Sequence, residues 1–268
     1  MSQFYIHPKR KTKVVFVQLG SPSEPTTKAL RKYLRKFLGD PRVVDINPWL
    51  WKLILNFFVL PFRPSKSAKL YARIWDGENF PLITNTRDFT KNVSDELKKI
   101  DPEGYVEVNH AFLLSPPYVN EVYDSWEEDL KKGIGATKLL VIPMFPQYSE
   151  STIASGIDAL AKELSKRVKI PTFEVITNFH RTHAFIDNSV CQVDKKLDEL
   201  LNQGKKIDNL IITFHGMQKR RIVNKGDDYY RHCYETFCLI TNKLKNIKPD
   251  QCMMSFQSRF GSEEWITP

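Results

Sequence analysis

The chain has 268 residues, of which 41% are hydrophobic and 26% are charged, as is ordinary for a soluble globular protein. Its formal net charge of +9 favours anionic partners such as acidic small molecules, a membrane surface or nucleic acid. The basic residues are dispersed and form no nucleic-acid-binding motif, so nucleic acid is not an expected partner.

The cysteines and the N-terminus indicate the compartment of the protein. There are four cysteines and no CxxC pair, which is typical of free thiols in a reducing compartment. Residues 1–13 are polar and basic and lack the apolar stretch of a secretory signal. We therefore expect a cytoplasmic protein.

Strand-like and helix-like segments alternate along the chain. In chain order the predicted strands are 14–19, 106–112, 138–142, 173–176, 209–214 and 253–256, and the clearest helical patterns are 29–38, 119–130 and 157–168. Repeated strand-then-helix units predict an α/β fold with parallel sheets flanked by helices. We expect two halves that meet around residues 145–155, with the functional site in the cleft between them.

Residues 48–60 form a dense apolar and aromatic segment that contains Trp49 and Trp51. The segment is too short to cross a bilayer, which takes about 20 apolar residues, and Lys52 and Asn56 interrupt it. A core helix is one interpretation. The other is an exposed apolar lip that touches a membrane or an apolar ligand, since tryptophans beside basic residues suit such an interface.

A short apolar run over residues 210–214 ends in His215 and Gly216. The run predicts a strand of a parallel sheet that is buried on both faces. Ligands of open α/β sheets bind outside the carboxyl ends of the strands, so we expect His215 at the mouth of a crevice, with Gly216 allowing a tight turn. An imidazole at that place suits proton transfer or metal binding, although a lone histidine can also be purely structural.

Three common binding and catalytic motifs are absent from the sequence. The first predicted strand is followed by residues 20–23 with a single glycine instead of GxGxxG, which disfavours a dinucleotide. GxxxxGK[ST] and GxSxG are missing as well, which disfavours a P-loop nucleotide and an α/β-hydrolase.

The ends of the predicted strands carry distinctive motifs in a fixed order. They are Gln-Leu-Gly-Ser-Pro at 18–22, Pro-Gln-Tyr-Ser-Glu-Ser-Thr at 146–152, Thr-Phe-His-Gly at 213–216 and Ser-Phe-Gln-Ser-Arg-Phe-Gly at 255–261. Further matches lie at 33–44, 63–67, 81–87 and 225–227 and at Trp265. With these motifs the sequence resembles ferrochelatase, from about residue 13 to its last residue.

The resemblance implies an α/β fold of two Rossmann-like halves, 1–150 and 151–268, with a porphyrin cleft between them and with the second half incomplete at the C-terminus. It implies a porphyrin metal lyase of haem biosynthesis, which inserts Fe²⁺ into protoporphyrin or coproporphyrin and releases two protons. Fe²⁺ is then a substrate, no cofactor is required, and the cysteines offer no set for an iron–sulfur cluster. The partners are porphyrin and ferrous iron, with peripheral membrane contact through residues 48–62.

The resemblance also assigns site residues. His215 would be the catalytic residue and a metal ligand. The substrate-binding residues would be Arg63, Tyr148, Ser149, Ser151, Thr152 and Trp265. Arg63 could pair with a propionate or lie on the surface, and Trp265 could be a pocket wall or core. Ser151 or Thr152 could line the pocket or cap the following helix.

The other histidines are interpreted as structural. His180 and His183 are expected to begin a helix, His110 to end a strand, and His232 to lie on a helix.

Two features depart from the family pattern. Leu113 and Leu114 stand where ferrochelatases commonly carry Arg-Tyr, so a cation and a phenol are replaced by apolar side chains. The sequence ends with Trp265 to Pro268, where the family continues through a helix, a strand and a helix that supply a glutamate opposite the catalytic histidine.

These departures leave two other functions open. The first is a non-catalytic porphyrin- or haem-binding relative that acts as a carrier, a sensor or an assembly partner. The second is a chelatase that acts on a different tetrapyrrole or metal, against which the Phe-Gln-Ser-Arg motif argues.

Overall fold

The structure is a computed structural model that describes residues 11–133, 135–259 and 261–268. Residues 1–10 of the N-terminal segment and Phe260 of the last motif lie outside the described residues. Contacts divide the chain into two compact units. The first comprises the described residues up to Met144 with Glu150–Thr177, and the second comprises Phe145–Ser149 with Asn178–Pro268. The predicted division at residue 150 stays a prediction.

The first unit is built on a parallel sheet of four strands in the order β2-β1-β3-β4. The strands are β1 (Thr12–Gln18), β2 (Val106–Phe112), β3 (Lys138–Pro143) and β4 (Thr172–Val175). Val14 to Val17 of β1 are all buried, as expected for a central strand with helices on both faces of the sheet. The predicted α/β class with a parallel, helix-flanked sheet is confirmed.

The helices of the first unit begin at the signals that the sequence provides. They are α1 (Thr27–Leu38), α2 (Pro48–Ile54), α3 (Arg63–Tyr71), α4 (Pro81–Ile100), α5 (Val119–Lys131) and α6 (Ser155–Leu164), with π-helical turns at Leu55–Val59 and Glu150–Ala154 and a 3₁₀ turn at Ala72–Ile74. Thr26 caps α1 by accepting a hydrogen bond from the backbone N–H of Ala29, and Asn47 caps α2 in the same way. The predicted pattern over 157–168 runs too far, because α6 ends at Leu164 and Val168 is fully exposed.

Two hydrophobic clusters stabilise the first unit. One joins the sheet to α5 and α6 and contains Val15, Val17, Trp126, Val141 and Leu160. The indole N–H of Trp126 donates to the carbonyl oxygen of Ala136 at 2.7 Å, so its polar group is satisfied inside the core. The second cluster joins α1 to the turn at Leu55–Val59 and contains Tyr33, Leu34, Leu38, Leu55 and Leu60.

The second unit holds a parallel pair of strands, β5 (Leu210–His215) and β6 (Cys252–Gln257). Their register pairs Leu210 with Cys252 and His215 with Gln257. Its helices are α7 (His183–Asn202), α8 (Lys219–Lys225) and α9 (Tyr229–Thr241), with a 3₁₀ turn at Pro249–Gln251. α7 begins at His183, whereas His180 lies in the turn before it.

The prediction that β5 is buried on both faces is wrong. Ile211, Thr213 and His215 are exposed, and Ile211 retains 59% of its accessible surface. The side chains of a strand alternate between two faces, and here only the face with Leu210 packs against the core cluster of Leu197, Ile247 and Cys252. The apolar run therefore predicted the strand correctly but not its burial.

Candidate functional site

His215 is the last residue of β5, at the carboxyl end of the parallel pair of strands. Its side chain is exposed, yet burial of part of the ring lowers the pKa of the imidazole from its ordinary value of 6.5. The imidazole is therefore neutral near pH 7 and keeps a lone pair for a proton or a metal ion.

Tyr229, the first residue of α9, lies close to the backbone of His215 and to the Cys233 thiol, and both influence the pKa of its hydroxyl. Burial raises the pKa of Tyr229 above its ordinary range and raises the pKa of Cys233 to about 12. Both groups are therefore protonated at neutral pH.

Trp265 packs directly against the glycine that follows His215. A Cβ atom on Gly216 would lie 2.7 Å from the carbonyl oxygen of Gln257 and 3.0 Å from Cε3 of Trp265. Such distances leave no room for a side chain, so glycine is required here by the close approach of the indole ring. Trp265 retains only 6% of its accessible surface and lies beside the backbone of the catalytic candidate.

The C-terminal segment pairs with the residues after His215. Ile266 N–H donates to the Met217 carbonyl oxygen at 2.9 Å, and Lys219 N–H donates to that of Glu264 at 2.9 Å. Gln218 and Trp265 form an antiparallel bridge between these two bonds. The position of Trp265 is thus fixed by backbone hydrogen bonds on both sides.

The segment Phe145–Ser149 is bound to α9 within the second unit. The backbone N–H of Tyr148 donates to Nδ1 of His232 at 3.1 Å, and the Gln147 amide donates to the Thr236 hydroxyl at 3.0 Å. Tyr148 is half-buried, and Ser149 keeps only 3% of its accessible surface.

The first unit contains a cavity of about 430 Å³ at the carboxyl ends of β1 and β2. Its apolar walls include Leu19, Phe37, Leu113 and Leu114, and its polar walls include Asp40, Ser155 and Asp158. The Ser155 hydroxyl donates to the carboxylate of Asp40, and Arg42 donates to both carboxylate oxygens of Asp158 at 2.9 and 3.1 Å. The two leucines at the Arg-Tyr positions therefore line a cavity.

Residues 48–62, named here the apolar lip, bury some of their apolar side chains and expose others. Leu55 and Leu60 belong to the second hydrophobic cluster and retain 5% and 2% of their accessible surface. Trp49 and Phe58 retain 78% and 70% of their accessible surface. The other exposed apolar side chains of the lip are Leu50, Leu53, Phe57 and Phe62. The segment therefore packs one side in the core and exposes the other, so that neither interpretation holds for all of it, and its contact with a membrane or an apolar ligand stays a prediction.

Neither a membrane-spanning helix nor a ready metal cluster occurs in the part of the chain that the structure describes. Each described helix is too short or too polar to cross a bilayer. Groups of three or more His, Cys, Asp or Glu side chains that could hold a metal ion are also absent from these residues.

Comparison with known proteins identifies the family. A protein-family model described as Ferrochelatase matches residues 11–268. The chain belongs to the ferrochelatase family. The ferrochelatase of Idiomarina loihiensis is 39% identical over 258 residues, which cover 96% of this chain and 68% of that protein. Those of Marinobacter nauticus and Actinobacillus pleuropneumoniae serotype 7 are each 36% identical, and the match covers 66% and 75% of their lengths.

The ferrochelatase resemblance is thereby confirmed, and with it the expectation that the chain is related to enzymes that insert iron into a porphyrin. The matched region spans about two thirds to three quarters of these relatives, at 66–75% of their lengths.

The predicted ferrochelatase residues fall into the two units as follows. His215, Trp265, Tyr148 and Ser149 belong to the second unit, whereas Arg63, Ser151 and Thr152 belong to the first. Within the second unit, Gly216 brings His215 and Trp265 close together. The roles of these residues stay predictions.

Three of the predicted residues lie near helix starts in the first unit. Arg63 is exposed at the first position of α3, and Ser151 and Thr152 lie in the π-helical turn before α6. α6 begins after Ala154 without a side-chain cap, and the two alternatives for Ser151 and Thr152, pocket wall or helix cap, stay predictions.

Sequence analysis did not identify two residues of α9 near His215, Tyr229 and Cys233. Tyr229 and Cys233 follow the matched motif at 225–227 by a few residues and lie one helical turn apart, so they share a helix face. That spacing was the available signal, but it cannot show which strand the face contacts.

Tyr229→Phe is expected to destabilise the chain by about 1 kcal/mol, because it removes the hydroxyl that lies close to the backbone of His215 and to the Cys233 thiol. Urea unfolding followed by circular dichroism measures the change. Tyr234→Phe on the same helix is the matched control, since Tyr234 is 53% exposed and should shift stability by less than about 0.5 kcal/mol. Equal stability of the two variants would contradict a stabilising contact between the Tyr229 hydroxyl and the backbone of His215.

Proposed function

We propose that this chain inserts Fe²⁺ into a porphyrin and releases two protons in haem biosynthesis. The observation that carries the proposal is the exposed His215 at the end of β5, followed by a glycine that packs against Trp265. Family membership supports the reaction class. Fe²⁺ is the second substrate, and we propose that no further cofactor takes part.

The reaction requires a base that faces the porphyrin nitrogens. Two pyrrole N–H bonds must break while bonds from nitrogen to iron form, and iron stays in its ferrous state. The neutral imidazole of His215 is suited to take one proton at a time and pass it to water, or to hold Fe²⁺ as it loses its hydration shell. Its lowered pKa favours this neutral form.

Porphyrins combine an apolar disc with two or more carboxylates, so the site needs apolar walls and a cation. We propose that Arg63 pairs with a propionate through its guanidinium fork. Arg63 is exposed, and it takes part in no ion pair within residues 11–133, 135–259 and 261–268. Tyr148, Ser149, Ser151, Thr152 and Trp265 are proposed as the remaining porphyrin contacts.

A second candidate function is non-catalytic porphyrin or haem binding. Leu113 and Leu114 support it, since they line the cavity of the first unit with apolar groups where the family commonly has a cation and a phenol. Loss of those polar groups would weaken a route for iron or protons and leave apolar porphyrin binding intact.

Anaerobic insertion separates the two functions. The purified chain is mixed with protoporphyrin IX and, in separate assays, with Fe²⁺, Zn²⁺ or Co²⁺. Insertion is followed by absorbance, and porphyrin binding is followed by fluorescence quenching. Insertion above the uncatalysed rate is the expected result. Porphyrin binding without insertion would replace the first proposal by the second, and cobalt insertion alone would support a different chelatase.

We also propose that the apolar lip contacts a membrane surface. Its exposed aromatic side chains lie beside Lys52, Arg63 and Lys66, and the chain carries a net charge of +9. Apolar side chains that enter the interface next to cations that face anionic headgroups are typical of peripheral binding. The protein would then be peripheral at a membrane, and its cytoplasmic location stays a prediction.

Replacing Trp49 and Phe58 together by serine is expected to weaken binding to anionic phospholipid vesicles by about tenfold or more. Full burial of one large apolar side chain is worth about 1.5–3 kcal/mol. Co-sedimentation with vesicles measures the change. Ile100→Ser is the matched control, because Ile100 is 79% exposed and lies outside the lip. Equal loss in the control, or no loss in the double variant, would contradict lip binding.

A further inference from the structure

Two buried imidazoles stack beneath the Phe145–Ser149 segment. The rings of His180 and His232 lie with centroids 3.9 Å apart and planes inclined by 20°. Both residues are almost fully buried, at 2% and 3% of their accessible surface. One belongs to the turn before α7 and the other to α9, so the stack joins two elements of the second unit.

The hydrogen bonds of the stack assign its protons. His232 Nδ1 accepts from the backbone N–H of Tyr148 at 3.1 Å, so this nitrogen carries no proton. The proton of the neutral ring is then on Nε2, which lies 3.3 Å from Nη2 of Arg231 in a close contact between two donors. His180 Nε2 lies 2.7 Å from a carboxylate oxygen of Glu235 and is the donor in that contact, because a carboxylate only accepts. The arrangement requires an uncharged His232.

The Phe145–Ser149 segment makes other hydrogen bonds besides the one to His232. The Gln147 amide bonds to the Thr236 hydroxyl, and the carbonyl of Pro146 accepts from the backbone N–H of Phe179 at 3.0 Å. These two bonds are independent of pH. The bond from Tyr148 to His232 differs from them, because its acceptor can itself take up a proton.

We infer that His232 is a positioning residue, which holds Tyr148 and Ser149 in their porphyrin-binding arrangement through an unprotonated Nδ1 and releases them when that nitrogen is protonated. The inference rests on the proposed function, in which these two residues contact porphyrin. It adds a residue that does not touch substrate and a dependence of substrate binding on pH.

The titratable and charged groups around His232 act on its protonation in both directions. They are His180 from the turn before α7 and Asp228, Arg231 and Glu235 on α9 itself. Burial is the largest cause that lowers the pKa of His232 from 6.5, and the charges of His180 and Arg231 act in the same direction. Asp228 and Glu235 oppose that change. The contact is thus present at neutral pH and is lost as the pH falls below this ordinary value.

Two substitutions of His232 distinguish the role of its hydrogen-bond acceptor from the role of the volume of its ring. In His232→Asn the side-chain oxygen can accept at the place of Nδ1 and cannot be protonated in this range, whereas His232→Leu removes the acceptor. Circular dichroism establishes that each variant is folded. His183→Asn is the matched control, since that imidazole has a side chain 91% exposed.

Hydrogen exchange of the Tyr148 amide is the deciding measurement, made between about pH 8 and about pH 5 and corrected for intrinsic exchange. We expect the wild-type amide to lose protection roughly tenfold across this range. The Asn variant should stay protected throughout. The Leu variant should be unprotected at every pH, and porphyrin affinity should fall in parallel by about three- to tenfold.

Wild-type protection in the Leu variant, or the wild-type pH dependence in the Asn variant, would overturn the inference. If the Leu variant does not fold, the Asn variant alone decides it. Parallel changes without any change in porphyrin affinity would also overturn the positioning role. Failure of the wild-type chain to bind porphyrin would instead refute the proposed function, and the exchange pattern would still report whether His232 holds the segment.

Discussion

His215→Ala is expected to lower the rate of metal insertion by about 10²–10⁴-fold, because a positioned general base contributes an acceleration of that size. Porphyrin affinity should change little, since the side chain is at the exposed end of β5 and the backbone hydrogen bond from Gly216 to Gln257 remains. Anaerobic insertion assays and fluorescence quenching measure the two quantities separately.

The pH dependence gives a second readout of the same group. The base must be neutral to accept a proton, so the insertion rate should rise with pH as the imidazole deprotonates. Because burial lowers the pKa of His215, the midpoint of this rise should lie at a pH below the ordinary value of 6.5. This inflection should be missing from the residual activity of His215→Ala.

His183→Ala serves as the control for general effects of removing an imidazole, since its side chain is 91% exposed. It should insert metal at the wild-type rate. An unchanged rate in His215→Ala, or an equal loss in the control, would remove His215 from the proposed mechanism.

Gly216→Ala is the second substitution for which we expect a large effect. The new Cβ would lie 2.7 Å from the carbonyl oxygen of Gln257, which accepts the Gly216 N–H across the strand pair at 2.7 Å, and 3.0 Å from the ring of Trp265. Overpacking of this kind costs about 1–3 kcal/mol. A shift of about 1 Å in a catalytic group can lower a rate by about 10²-fold, so insertion should fall as well.

Thermal unfolding and insertion rates check this expectation. Gly156→Ala in α6 is the matched control, because its Cβ would meet nothing within 4 Å and alanine favours a helix by about 1 kcal/mol. A Gly216→Ala chain that is as stable and as active as this control would mean that Trp265 can move away at no cost.

Local sequence patterns predict the bounds of the strands better than the burial of their side chains. β2 has the predicted bounds, and β5 ends at His215 as expected, since apolar runs and the glycine after them act over a few residues. The exposed face of β5 and the exposed lip could not be predicted in this way. Burial depends on which elements pack against a face, and a single sequence does not contain that information.

The candidate site shows the same limit. His215 was found because it ends a strand, and Trp265 was found through the family resemblance. The close approach of Trp265 to Gly216 and the contact between Tyr148 and His232 join residues far apart in sequence. The sequence therefore predicts only a structural role for His232. Its position on a helix does not show that its Nδ1 accepts a hydrogen bond from the backbone N–H of Tyr148.

Because Cys233 is buried, the reactivity of its thiol reports local opening of the second unit around α9. Its sulfur lies close to Tyr229, the residue has no accessible surface, and burial raises the pKa of the thiol to about 12. Thiolate is the reactive form, so alkylating reagents should reach this sulfur only during excursions that separate α9 from β5. Cys191 is exposed and provides an internal reference in the same molecule. The ratio of the two labelling rates therefore reports the fraction of time in which α9 is separated from β5.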